Sequence, residues 1–195
     1  MALATHAAGH MSPAKSLAVK RAGLWLFFFS ESILFGLLLS GRFFLQGIEA
    51  QHVDQTLGLV ITIVLLLSSV SAYTAETAVE HNRHGIATIG LLVTILLGLA
   101  FAGGVAFEWS TAEFSRHEAF GTAFFAMTGV HAAHVISGVL MLILVFAQHL
   151  RGRFNSGDHW PISGTVMYWH FVDVVWVFFY PALYLVQGVG FHNAG

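Results

Sequence analysis

Apolar and polar positions along the chain sort into five long hydrophobic stretches separated by short polar connectors. The first runs from about residue 22 to 45 and is interrupted only by Glu31 and Arg42. The second covers about 57–79, and the third, about 86–107, follows the connector Glu80-His81-Asn82-Arg83-His84-Gly85. The fourth spans about 120–150 and the fifth about 163–187, entered through Asp158-His159-Trp160-Pro161. A helix rises about 1.5 Å per residue, so roughly 20 residues cross the hydrocarbon of a bilayer. Every stretch reaches that length. The pattern predicts an all-α, polytopic membrane protein, a five-transmembrane-helix bundle forming one unit over residues 21–190. Residues 1–20 read as a solvent-side tail rather than a cleavable signal peptide, with Pro13 a barrier to extending a helix backwards. His6 and His10 on that tail are four apart and read as incidental rather than as a metal site.

Composition fixes the solvent. The 195 residues are 56% hydrophobic and 9% charged, with a mean hydropathy of +0.75, whereas soluble domains carry roughly 25% charged residues. Such a chain cannot cover a water-facing surface. Its 18 Phe and 5 Trp suit a lipid-facing exterior. The absence of cysteine excludes disulfides, thiolate chemistry and iron–sulfur ligation. A formal net charge of −2 argues against a nucleic-acid partner.

Charge also orients the bundle. With five alternating helices, Lys15, Lys20, Arg21, Arg83, Arg151 and Arg153 fall on the N-terminal side. Arg42 and Arg116 fall on the other, beside Glu49, Asp54, Glu108, Glu113 and Glu118. The positive-inside rule predicts a cytoplasmic N-terminus and an outer C-terminus. Small residues (Ser68 to Ala75 in the second helix, Gly90, Gly98, Gly103 and Gly104 in the third, Gly121, Gly129 and Gly138 in the fourth) predict close helix packing.

Five polar residues stand at depth: Glu31, His131, His134, His170 and Asp173. Glu31 lies ten residues past Arg21, or ~15 Å into the membrane. Spacings of three put His131 with His134, and His170 with Asp173, on shared helix faces. Such groups are expected to point inward and pair with one another, because an unpaired charge in hydrocarbon is costly. Three readings follow from the residues alone. The set is a structural hydrogen-bond network; or His131, His134 and His170, with Glu31, ligate a haem or metal; or the carboxylates relay protons or ions as in transporters. Spacing leaves all three open.

The segment Tyr168-Trp169-His170-Phe171-Val172-Asp173-Val174-Val175-Trp176 resembles the last-helix signature of the cytochrome c oxidase subunit III family. Met127-Thr128-Gly129-Val130-His131-Ala132-Ala133-His134-Val135, followed by Gly138, is similar to that family's Thr-Gly-Phe-His-Gly-x-His-Val-x-x-Gly motif, with Val130 for the usual Phe and Ala132 for the usual Gly. Trp25 with Ser30-Glu31, Leu67-Ser68-Ser69 with Thr74, and Phe107-Glu108-Trp109 resemble further family segments, in family order, over about residues 20–188. The long form of the family has seven helices, with lipid held beneath a two-helix V. This chain looks like the short, five-helix bacterial form, so a lipid cleft would need walls from a partner chain.

The resemblance implies a non-catalytic subunit III of a proton-translocating haem-copper oxidase in a bacterial cytoplasmic membrane. It implies no haem, copper or other cofactor in this chain, the redox centres lying in partner subunits. It implies subunit I as principal partner, with subunit II, a small subunit IV and a respiratory supercomplex as further candidates. It also implies bound phospholipid and a role in sustaining proton uptake and turnover. Glu31 matches a family carboxylate facing subunit I or lipid, and His131, His134, His170 and Asp173 match positions expected to bond between helices. Subunit III of a quinol oxidase, or a nitric oxide reductase-associated subunit, are the neighbouring alternatives. A stand-alone haem or metal enzyme built on His131, His134 and His170 is the alternative of a different class.

Overall fold

The computed structural model describes residues 12–46 and 53–186. Its helices are α1 (Pro13–Gln46), α2 (Gln55–Glu80), α3 (His84–Thr111), α4 (Ala119–Leu150) and α5 (Trp160–Tyr180), the last continued by a π-helical turn, Pro181–Leu185. All five are long and apolar enough to cross a membrane. His6, His10, Glu49 and the last nine residues lie outside the described residues.

The first four expected stretches fall inside these helices; of the fifth, about 163–187, the helical part ends at Leu185 and residue 187 lies outside the described residues. One correction falls at the start. Residues 13–20, expected as tail, form the first turns of α1. Pro13 does stop the helix, at its first position, where a missing N–H and a preset φ are favourable. Ser12 begins it: its Oγ accepts from the Lys15 N–H at 3.4 Å, and its carbonyl accepts from the Ser16 N–H at 3.0 Å. Asp54 caps α2 in the same manner, Oδ1 accepting from the amides of Thr56 (2.9 Å) and Leu57 (3.0 Å). The α2–α3 turn uses Asn82 at φ +54°, a left-handed position that asparagine tolerates. The Asn82 Oδ1 accepts from the Ser156 N–H at 3.1 Å, tying this turn to the α4–α5 loop.

α5 is the central helix, packed against α1, α2 and α4, while α2 pairs most extensively with α3. α1 leans on α4 and α5. The share of each apolar span buried by the rest of the chain is 56% for α5 and 11% for α1, so α1 is the outermost helix. Its Trp25, Leu26, Phe29, Leu37 and Phe44 face outward.

Glycines let the helices close on the centre. A Cβ at Gly98 would lie 2.6 Å from Cη2 of Trp169, and one at Gly138 would lie 2.9 Å from its Cε3. Trp169 is fully buried, so it has nowhere to move. On α3, a Cβ at Gly90 would meet the Ala75 Cβ at 2.9 Å and the Ser71 carbonyl at 3.1 Å. Gly103, by contrast, has open space around it.

That contrast is testable. Gly98→Ala should lower the thermal unfolding midpoint in detergent, since overpacking costs about 1–3 kcal/mol against about 1 kcal/mol gained in helix propensity. Gly103→Ala should leave the midpoint level or raise it. Equal behaviour of the two variants would contradict the packing described.

Candidate functional site

Hydroxyls of α2 hold the polar groups of α5. Ser68 Oγ donates to the Leu65 carbonyl at 2.6 Å and accepts from the Trp169 indole N–H at 2.9 Å. Thr62 Oγ1 donates to the Gly58 carbonyl at 2.7 Å and accepts from the Trp176 indole N–H at 2.9 Å. Between them, Ser69 Oγ lies 2.6 Å from Nδ1 of His170. Three bonds therefore join α2 to α5. A serine or threonine can do this because its one hydrogen satisfies its own helix while its lone pairs stay open to a neighbour. Thr128 repeats the device between α4 and α3, donating to the Phe124 carbonyl at 2.7 Å and accepting from the Trp109 indole at 3.0 Å.

A second link ties α1 to α4. Nε2 of His134 lies 3.2 Å from Oε2 of Glu31, the two side chains 18% and 19% exposed. Nδ1 of His134 lies 2.8 Å from the Val130 carbonyl. A carbonyl only accepts, so Nδ1 carries a proton.

The remaining two expected members stand apart. His131 is fully buried on α4, its ring 4.8 Å from that of Trp176 and edge-on to Phe101 at 5.6 Å, and neither ring nitrogen is hydrogen-bonded. Asp173 is 3% exposed with the Ser69 side chain beside it. The expected His170–Asp173 pair is not formed directly: Ser69 stands next to both, bonding His170, while Glu31–His134 is a separate link and His131 is unbonded. Residues three apart do share a helix face, but α2 supplies the nearer partner for His170.

Several contacts involve no Asp, Glu, His, Lys or Arg on either side and so escape a search for buried charge. These are the three indole–hydroxyl bonds, Ser71 Oγ to Thr94 Oγ1 at 2.6 Å, and Ser137 Oγ to Tyr168 Oη at 2.6 Å. The run of small hydroxyl residues Ser68, Ser69 and Ser71 on α2 was the signal available for two of them, Trp169–Ser68 and Ser71–Thr94. At the end of α3, Tyr184 Oη donates to Oε2 of Glu108 at 2.7 Å.

The three histidines do not converge. His131 faces aromatic rings, His134 faces Glu31 and His170 faces Ser69. Among the described residues, no group of three or more His, Asp or Glu is arranged to hold a metal ion. The site's geometry joins helices.

The chain matches the family described as Cytochrome c oxidase subunit III over residues 5–187. It belongs to the cytochrome c oxidase subunit III family. It is similar to the cytochrome c oxidase subunit 3 of Spodoptera frugiperda, 40% identical over 63% of this chain and 84% of that protein. The Drosophila melanogaster protein of the same name is 37% identical over 63% of this chain and 47% of its own length. That of Thermostichus vulcanus is 30% identical over 84% of this chain and 86% of its own length. The matched region thus spans about half the length of several relatives and most of others.

In this subunit III chain the last-helix segment Tyr168–Trp176 supplies both indoles and the imidazole that α2 bonds. Ser69→Ala should destabilise the chain by about 1 kcal/mol, because it removes the hydrogen-bond partner of part-buried His170. Glu31→Gln should cost less, since the glutamine amide can donate to Nε2 of His134. Thermal unfolding in detergent measures both, and a larger loss for Glu31→Gln would reverse this account.

Proposed function

We propose that this chain is the non-catalytic, supporting subunit III of a bacterial haem-copper cytochrome c oxidase. It packs on subunit I in the cytoplasmic membrane, binds phospholipid, and sustains proton uptake and turnover by partners that hold the haem and copper. The observation that carries the reading is the family match across residues 5–187. The separate partners of His131, His134 and His170 support it, because they leave these residues serving helix contacts. The charge asymmetry supports a cytoplasmic N-terminus. The Glu31–His134 pair, about one-fifth exposed, is the polar point that α1 presents toward subunit I or lipid.

Lipid binding has a candidate seat. A groove of about 790 Å³ opens between α1, α4 and α5, lined by Leu24, Phe27, Met141, Leu144 and Tyr168, with Lys20 and Trp160 at its polar end. An acyl chain suits the apolar length, and a phosphate suits Lys20 at the membrane surface.

Two measurements test the reading. Purified from its native membrane, the chain should co-migrate with haem-bearing subunits identified by mass, and the complex should give a haem redox difference spectrum. The chain separated from them should be colourless, and a Soret band travelling with it alone would overturn the proposal. Gly164→Leu, which fills the groove, should lower co-purifying phospholipid by about one molecule per chain, with helix content unchanged by circular dichroism.

A further inference from the structure

At the end of the bundle where α3 finishes and α2 begins, a cavity of about 330 Å³ is lined by Val53, Asp54, Glu108, Thr111, Glu113 and Phe114. Three of these are carboxylates. Glu108 is 4% exposed; its Oε2 takes the Tyr184 hydroxyl, while its buried Oε1 has no hydrogen-bond partner. Asp54 uses Oδ1 to cap α2 and lies close enough to Glu108 for their charges to repel. Glu113 is exposed at the rim. The negative pole of the α3 C-terminus adds to this field. Neither salt bridge given for the described residues, His134–Glu31 or His159–Glu80, involves any of these three carboxylates.

The chemistry missing here is a hydrogen-bonding cation. The carboxylates do not converge as a direct metal-ligand set. They are spread over the walls of the cavity, which suits a group carrying several donors. Lysine has three and arginine five. We infer that this acidic socket receives a lysine or arginine side chain of a neighbouring protein chain, Glu108 Oε1 taking the innermost donor and Asp54 and Glu113 the outer ones. This rests on the reading of the chain as one subunit of a larger oxidase, and gives that assembly a charged contact distinct from the helix-joining links at depth.

Salt-dependent release of the subunit tests it in the intact complex. Glu108→Gln keeps an acceptor for Tyr184, and Glu113→Lys changes only the exposed rim, so both variants should fold with an unchanged unfolding midpoint. The expected result is release of this chain from its partners at a sodium chloride concentration at least twofold lower than for the unaltered protein. Release at the same concentration overturns the inference. Release of the unaltered chain by EDTA, or retention in the variants restored by added phosphatidylethanolamine, also overturns it, assigning the socket to a metal or a lipid amine. Failure of the unaltered chain to co-purify at the lowest salt would instead sink the subunit reading itself.

Discussion

An indole N–H in hydrocarbon has no water to turn to, and the position of α5 follows from that constraint. Trp169 is fully buried, and its acceptor is Ser68 of α2 at 2.9 Å. With its N–H fixed there, its ring fills the space beneath Gly98 of α3 and Gly138 of α4. One side chain thus sets how closely three helices approach the fourth. Trp176 repeats the requirement two turns on with Thr62, and its ring carries His131 on one side and Phe101 on another. Removing the indole would expose more than a cavity. It would strand the hydroxyl whose lone pairs were arranged to receive it, and double-ended satisfaction of this kind is what makes a buried polar contact specific.

α1 is held differently. Glu31 meets His134 of α4, the Arg42 guanidinium lies over the Phe120 ring at 5.1 Å, and aromatic contacts add to the attachment. Phe28 stacks on Phe171 at 4.8 Å, and Phe35 wedges between the rings of His134 and Phe179. A helix so lightly embedded leaves most of its circumference to its surroundings. The outward row of Trp25, Leu26, Phe29 and Leu37 is large enough to matter for whatever lies beside it, lipid or another chain.

The helices were legible in the sequence because hydrocarbon enforces length and composition directly. The start of α1 was less so: Ala22 onward is where hydrophobicity begins, but Ser12-Pro13 is where capping chemistry begins, and the helix obeys the cap. The polar residues at depth were also legible as a set, through their cost in lipid. Their pairing was not. A spacing of three reports that His170 and Asp173 share a face, but the distance to Ser69 depends on how α2 and α5 cross, which no local pattern encodes. Composition suits the tryptophans to a lipid-facing exterior, yet Trp109, Trp169 and Trp176 donate to hydroxyls of neighbouring helices, because the ring packs as an apolar body while its N–H still demands an acceptor.

The far end of α5 shows the same demand acting on the backbone. Pro181 brings no N–H, so the α-helical ladder breaks there and the chain continues in a wider turn, closed by the Val186 N–H on the Pro181 carbonyl at 2.9 Å. That widening turns Tyr184 inward. Its ring covers Gly58, its carbonyl accepts from the Gln55 side chain at 3.1 Å, and its hydroxyl reaches Glu108. The final turn therefore fastens to the start of α2 and the end of α3 at once. Because Tyr184 occupies only one oxygen of Glu108, the closure leaves a carboxylate oxygen facing the acidic cavity, so the contact that seals the bundle also prepares it for a cation from outside.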